Sequence, residues 1–171
     1  MVTLATVSTR TRKAGARAAE PIRLERFLPY RLSVLSNAVS TAIAAEYAQQ
    51  FDLTIPEWRV LAVLARHPGL SAAGVAAQTR MDAVAVSRAV ARLMRSGRLR
   101  RATASDDRRR SVLRLSSAGL AVYGAVAPVA LRFERDLLAT LSQRDRAMLD
   151  RLLERLLGRA EALAYNPRPV D

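Results

Sequence analysis

Residues 82–97 read DAVAVSRAVARLMRSG and carry the start, the periodicity and the end of one short helix. Asp82 can cap the first free amides, and Gly97 is favoured just past a helix end. Within the predicted helix, residues 83–95, three apolar residues share one face: Val86, Val90 and Leu93. The opposite face carries Val84, Ser87, Arg88, Ala91, Arg92 and Arg95. The helix is therefore predicted to pack on one side and expose arginines on the other.

The neighbouring segments complete a winged helix-turn-helix lobe over residues 54–115. Thr54 and Glu57 form a capping box before a helix predicted from Trp58 to Ala65. Ser71 can cap a second short helix that reaches about Thr79, a few residues before Asp82. Residues 99–102 and 111–115 can pair as strands around the polar stretch SDDRRR at 105–110. A helix pair followed by two short strands predicts a wing.

Both chain ends are predicted to be helical and to form a dimerisation region. Apolar residues recur at three- and four-residue steps from Pro21 to about Gln50, and again in two helices within residues 116–165 that are capped by Ser116 and Ser142. These long helices are apolar on several sides and need a partner surface. The predicted fold is mainly α with a small β-wing, with a lobe in the middle and dimerising helices at both ends.

The positive charge is concentrated in two places. The formal net charge is +13, which predicts attraction to a polyanion, either a nucleic acid or an acidic membrane surface. Eleven arginines and three aspartates lie between Arg80 and Arg114, and residues 1–20 form a second basic stretch. We predict a binding face in the lobe and a mobile basic tail at residues 1–20; an organelle transit peptide is the alternative interpretation of the tail.

The exposed face of the predicted helix 83–95 suits the major groove of DNA. Arginine can donate twice to guanine, serine reaches phosphates or base edges, and Val84 can contact a thymine methyl. Three consecutive arginines on a hairpin tip repel one another without an anionic partner, and a narrow minor groove is such a partner. The predicted DNA contacts are Ser71, Val84, Ser87, Arg88, Arg92, Arg95, Arg108, Arg109 and Arg110. The alternative for the helix arginines is a solvated face. Asp106 and Asp107 are predicted to hold arginines of the wing or of the helix in place, with a polar turn as the alternative.

The sequence gives little support for other classes of protein. The chain has no cysteine and one histidine, His67, at a predicted helix end, so neither a metal site nor a cofactor is expected. No glycine-rich phosphate loop and no nucleophile paired with a base is present, which argues against an enzyme. No apolar run reaches the length of a membrane span and the first residues lack a secretory pattern, so we expect a cytoplasmic protein. The basic segments also lack the apolar face of a membrane-surface helix.

Three stretches resemble the MarR (multiple-antibiotic-resistance regulator) family over roughly residues 24–160. They are LTIPEWRVL at 53–61, VSRAVARL at 86–93 with Gly97, and the wing signature DDRRRSVLRLSSAG at 106–119. The resemblance implies a triangular homodimer whose two lobes dock on a pseudo-palindromic operator, usually as a repressor. Family members often release DNA when a small aromatic anion binds between the dimer helices and the lobe. The absent cysteine separates this chain from the thiol-based peroxide sensors of the family.

Four residues lie in segments that match the effector region of the family: Tyr30, Arg31, Trp58 and Arg59. An aromatic ring can pack on Trp58 or Tyr30 while an arginine meets a carboxylate or phosphate. The alternative is a core tryptophan with structural arginine ion pairs. Residues 27–33 and 54–59 resemble the branch that controls breakdown of aromatic acids, including sensors of hydroxycinnamoyl-CoA thioesters.

The sequence therefore predicts a DNA-binding transcriptional regulator that represses a catabolic or efflux operon and is released by an aromatic acid or its CoA thioester. The alternative is an architectural protein that binds DNA of any sequence, which the high charge and the basic tail allow. A specificity ratio over random DNA separates the two.

Overall fold

The computed structural model describes residues 21–103 and 111–165. A 3₁₀ turn at Leu24–Arg26 precedes the first helix. The helices are α1 (Leu28–Phe51), α2 (Ile55–Arg66), α3 (Ala72–Thr79), α4 (Ala83–Arg95), α5 (Ser117–Leu138) and α6 (Gln143–Tyr165), and the strands are β1 (Leu99–Thr103) and β2 (Ser111–Leu115). The predicted mainly α fold with a small β-wing is confirmed. The chain divides into two compact units between Asn37 and Ala38.

The first helix begins later than the sequence pattern indicated. We predicted a helix from Pro21, whereas α1 starts at Leu28 and residues 21–27 are extended apart from the 3₁₀ turn. Pro29 explains the difference, because proline fits the first turn of a helix but costs about 3 kcal/mol in its interior. A helix that began at Pro21 would have placed Pro29 in its interior.

The capping box of α2 forms as predicted. The Thr54 side chain accepts a hydrogen bond from the Glu57 amide at 3.4 Å, and the Glu57 carboxylate accepts one from the Thr54 amide at 2.8 Å. The helix itself starts at Ile55, three residues before the predicted start at Trp58, because Pro56 lies in its first turn and is compatible with a helix there.

The core of the lobe joins α2, α3, α4 and the sheet. Its buried residues come from every one of these elements and from the neighbouring helices: Tyr47, Leu53, Val60, Leu61, Leu64, Val75, Val86, Ala89, Val90, Leu93, Leu99, Leu113, Leu115 and Val126. Strands β1 and β2 are antiparallel, with Leu99 opposite Leu115 and Arg101 opposite Leu113. The core thus anchors both the helix pair and the base of the wing.

The C-terminal helix presents its apolar side to solvent. No residue of α6 is buried in the single chain. Its exposed apolar residues are Met148, Leu149, Leu152, Leu153, Leu156, Leu157 and Leu163. Leu120, Leu131 and Leu137 of α5 are exposed as well. Within residues 21–103 and 111–165, no helix combines the length and hydropathy that a bilayer span requires.

Candidate nucleic-acid interface

The α3 and α4 helices are joined by a tight turn of defined geometry. Arg80 ends α3 in the left-handed conformation, with φ of 54°. Asp82 then caps α4, its carboxylate accepting from the Ala85 amide at 2.8 Å. At the other end of α3, the Ser71 hydroxyl accepts from the Gly74 amide at 3.1 Å. Each helix is therefore capped by the side chain of the residue that directly precedes it.

The two faces of α4 are those predicted from the sequence. Val86, Val90 and Leu93 are at most 3% exposed, and Ala89 joins them in the core. The opposite face is open to solvent, and its members include Val84, Ser87, Arg88, Ala91, Arg92 and Arg95. Val84 is 58% exposed, which is unusual for a valine without a partner surface. Arg88 and Arg95 make no hydrogen bond or ion pair to the described residues.

Arg92 differs from the other arginines of this face because it is already paired. Its Nε donates to Oε1 of Glu57 at 2.8 Å, and its Nη2 lies 3.6 Å from Oδ1 of Asp52. Glu57 is almost fully buried, whereas the Arg92 side chain is half exposed. From the sequence, Arg92 was predicted to contact DNA, but its pairing with Glu57 and Asp52 was not foreseen. This pairing limits how freely Arg92 can reach a phosphate.

A polar cavity of about 300 Å³ lies at the C-terminal end of α4. It is lined by Asp52, Glu57, Arg92, Arg95, Ser96 and Arg98. Arg98 donates from Nη1 to the carbonyl oxygen of Asp52 at 3.3 Å and from Nη2 to the carbonyl oxygen of Phe51. Arg98 therefore fastens the end of α1 to the segment that leads into the wing.

The strands of the wing carry further exposed arginines. Arg100 and Arg114 are opposite one another in the register of β1 and β2, and both are exposed. The Arg114 guanidinium packs against Gly69, which has a φ of +90°; a Cβ at Gly69 would lie 3.4 Å from Nη2 of Arg114. The predicted contacts Arg108, Arg109 and Arg110 lie outside the described residues. Sequence reasoning proposed DNA contacts of the wing only at its tip and did not recognise that Arg100 and Arg114 are opposed, because alternation assigns residues to a face but does not give the register.

The wing is also tied to the segment before α3. The Gly69 amide donates to the carbonyl oxygen of Leu113 at 3.0 Å, and the Leu113 amide donates to the carbonyl oxygen of Leu70 at 2.8 Å. These two bonds extend the ladder of β2 beyond its partner strand. Ser71, the N-cap of α3, follows directly, so these backbone hydrogen bonds join β2 of the wing to the segment that leads into α3.

An aromatic cluster lies at the start of α2. The Trp58 ring stacks on Tyr123 with centroids 5.8 Å apart and packs against Tyr47 at 5.9 Å. Burial raises the pKa of Tyr47 to about 12, while the positive charge of Arg59 opposes this rise and the charge of Glu57 adds to it. The positions of Tyr47 and Tyr123 in the sequence give no sign that they share a cluster with Trp58.

A small cavity of about 90 Å³ adjoins this cluster. Its walls are Ser40, Ile43, Tyr47, Ile55, Trp58 and Arg59, and Arg59 donates from Nη2 to the Ser40 hydroxyl at 3.1 Å. Trp58 and Arg59 of the predicted effector set therefore share a cavity. Tyr30 and Arg31 are exposed on the first turn of α1, in the unit that ends at Asn37. Their membership of the same site stays a prediction.

A second cavity of about 370 Å³ lies between α1 and α5. It is lined mainly by apolar side chains, among them Val39, Ile43, Leu131, Phe133, Leu137 and Leu138, with Glu134 as the single charged residue. No cluster of three or more potential metal ligands from histidine, cysteine, aspartate and glutamate occurs in the described parts of the chain.

The helix pair, its exposed arginine face and the two-stranded wing define a winged helix-turn-helix protein. Residues 51–110 match the model of the MarR family. A transcriptional regulatory protein for the hcr operon of Thauera aromatica is 32% identical over 109 residues, which cover 64% of this chain and 66% of that relative, just under two thirds of its length. Over these segments the chain is similar to transcriptional regulators of the MarR family.

Solved structures of the same class superpose closely. A MarR/EmrR family transcriptional regulator from Acinetobacter sp. ADP1 has a TM-score of 0.76 at 24% identity, covering 82% of this chain and 99% of the other. The PcaV transcriptional regulator from Streptomyces coelicolor, in complex with its natural ligand, has a TM-score of 0.68 at 26% identity, again covering 82% and 99%. These similarities support the fold over nearly the whole length of the solved chains.

Proposed function

We propose that this chain is a homodimeric repressor that recognises a specific DNA sequence through α4 and the wing. The main support for this proposal is the exposed face of α4. Val84, Ser87 and Arg88 are exposed there, whereas the other face of the helix is buried in the core. A helix presented in this way fits the major groove, where arginine and small side chains distinguish base edges. Arg95, the strand arginines and residues 108–110 supply the positive charge for the backbone.

The dimer is the assembly that the exposed apolar helices favour. The leucine side of α6 and the exposed leucines of α5 are large apolar surfaces on one chain. Monomeric proteins seldom leave such surfaces in water, and a second copy can cover both in a two-fold arrangement. In this proposal residues 21–50 and 116–165 form the dimerisation region, residues 54–115 form the DNA-binding lobe and residues 1–20 form a basic tail. The protein acts in the cytoplasm and has no catalytic role.

The effector in this proposal is a small aromatic acid or its CoA thioester, which enters the cavity at the start of α2. Trp58 offers a ring to stack on, and Arg59 is the nearby cation for a carboxylate or phosphate. Holding a benzene ring takes a cavity of roughly 150 Å³. Because the cavity here measures about 90 Å³, a ring enters only if α2 or its neighbours move. The relative named for the hcr operon and the ligand-bound PcaV structure are consistent with such an effector.

The first experiment is selection of bound fragments from the source genome by the purified protein. The best fragment is then compared with scrambled DNA over a range of salt concentrations. A repressor of this kind selects a pseudo-palindrome with half-sites about one helical turn apart and prefers it over scrambled DNA by about 10³-fold or more. Uniform enrichment without a motif would instead favour an architectural protein that binds any sequence.

A second experiment tests the effector site. Calorimetric titration with benzoate derivatives and aryl-CoA thioesters compares the wild type with Arg59→Gln and Arg66→Gln. Both variants lose one positive charge from α2, but Arg66 is exposed in its last turn. We expect Arg59→Gln to weaken binding at least tenfold and Arg66→Gln to leave it unchanged. Equal affinities in all three proteins would exclude Arg59 from the site.

A further inference from the structure

Glu57 stands out as the one buried charged side chain in the described part of the protein. It is 2% exposed, and its two carboxylate oxygens meet different elements. Oε2 accepts from the Thr54 amide at 2.8 Å and from the Thr54 hydroxyl at 2.6 Å. Oε1 accepts from Nε of Arg92 on α4 at 2.8 Å. The capping role explains only one of these oxygens, whereas the other ties α2 to the DNA-facing helix.

A buried carboxylate is costly unless it is paired and hydrogen-bonded, so this geometry is strongly enforced. The bond to Arg92 is charge-assisted and therefore both shorter and stronger than a neutral one. Displacing Glu57 without Arg92 would leave an unpaired charge at an almost fully buried position. The first turn of α2 and the last turn of α4 are consequently expected to move together.

The same turn of α2 also forms the wall of the small aromatic cavity. Trp58 and Arg59, which follow Glu57 directly, line that cavity, and Trp58 stacks on Tyr123 of α5. One helical turn thus touches the cavity on one side and α4 on the other. Because the cavity is smaller than a ring needs, an entering ring displaces part of the cavity wall, and the α2 turn that holds Glu57 is one part of that wall.

We infer that Glu57 is a positioning residue that couples the aromatic cavity to the DNA-reading helix through Arg92. This inference rests on the proposed function, because it assigns the route between two sites proposed there. Glu57 sets the position of α4 on DNA, and a displaced α2 turn passes its movement to α4 through the Glu57–Arg92 pair. Coupling between two sites is reciprocal, so DNA bound on α4 also changes the surroundings of Trp58.

The test uses Trp58 itself, which is the only tryptophan in the chain. Its emission is recorded while the selected DNA fragment is titrated in, and anisotropy of labelled DNA reports binding in parallel. The variants are Glu57→Gln and, as a matched control, Glu46→Gln. Glu46 is also paired with an arginine, its Oε2 lying 3.5 Å from Nη2 of Arg132, but both side chains are more than half exposed. Each variant removes one negative charge, so the change in net charge is the same in both.

We expect the emission of the wild type and of Glu46→Gln to change in step with DNA binding. In Glu57→Gln the glutamine oxygen still accepts from Thr54, but the charged bond to Arg92 is lost. The emission change should then fall to less than half, and the preference for selected over scrambled DNA should drop at least tenfold. Arg92→Lys keeps the positive charge but lacks the Nε donor, so it should reproduce both losses if Glu57→Gln does not fold.

Several outcomes would overturn the inference. Binding of the selected fragment without any change in Trp58 emission of the wild type would show that α4 and the cavity are not coupled. Equal behaviour of Glu57→Gln and Glu46→Gln would show that the buried pair does not position α4. Equal wild-type affinities for selected and scrambled DNA would instead remove the proposed function, and the coupling with it, before any variant is made.

Discussion

Arg100 of β1 and Arg114 of β2 are directly opposite one another in the wing, and both are exposed. Like charges at such a position destabilise a strand pair, so their placement favours a role with an anionic partner. The DNA backbone is the partner that the proposed function provides.

Replacing Arg114 with glutamine should therefore move stability and binding in opposite directions. Removing the repulsion should raise the free energy of unfolding by about 0.2–1 kcal/mol. Losing one phosphate contact should weaken binding to every fragment and reduce the slope of log affinity against log salt by roughly 0.9. Denaturant unfolding and salt titrations measure the two effects, with Arg135→Gln on α5 as the control for charge alone. Unchanged affinity would place the strand pair away from DNA.

Replacing Arg88 with alanine should reduce sequence preference rather than general affinity. Arg88 is exposed on α4 and has no partner among the described residues, so it is available for a base edge. We expect a loss of about 1–3 kcal/mol on the selected fragment and relaxed preference at one base pair. Binding to a library of single base-pair substitutions checks this. An equal loss on every member would mean that Arg88 contacts only phosphate.

Replacing Leu153 with glutamate should dissociate the proposed dimer. Leu153 is 45% exposed in the single chain, and burying a leucine stabilises by about 1.5–3 kcal/mol. A two-fold interface contains Leu153 from both copies, so the dimer loses this stabilisation twice. Sedimentation at micromolar concentration should show a monomer for Leu153→Glu and a dimer for Arg155→Glu, which changes the charged side of the same helix. A monomeric wild type would contradict the assembly.

The stability of the protein should fall in alkaline solution because of Tyr47. Burial raises the pKa of Tyr47 to about 12 in the folded chain, whereas the unfolded chain retains the ordinary value of 10.0. Between these values the unfolded state has lost the proton and the folded state has kept it, so the free energy of unfolding falls by about 1.4 kcal/mol for each pH unit. Below pH 10 both states keep the proton, so the free energy of unfolding no longer depends on pH through Tyr47.

Tyr47→Phe isolates this effect from the other tyrosines. Denaturant unfolding from pH 9 to pH 12 should show a shallower decline for the phenylalanine variant than for the wild type. Parallel declines would mean that another group titrates in this range.

The local elements of the fold were predictable because their signals lie within a few residues of one another. Thr54 with Glu57, Ser71 with Gly74, and Asp82 with Ala85 are all hydrogen-bonded pairs three residues apart. The periodicity of α4 likewise determined which of its sides is buried. The start of α1 was wrong because apolar periodicity continued through residues 21–27, while the constraint from Pro29 was overlooked.

The sequence by itself determined the helix-turn-helix order, the wing strands, the buried and exposed faces of α4 and the family resemblance. Tertiary structure alone decided that Arg92 pairs with Glu57, that Trp58 stacks on Tyr123 and that Arg100 is opposite Arg114. The physical reason is that periodicity encodes how much of each face is buried, but not which distant side chain it meets. Those partners are chosen by the packing of whole elements, where the residues involved lie far apart in the chain.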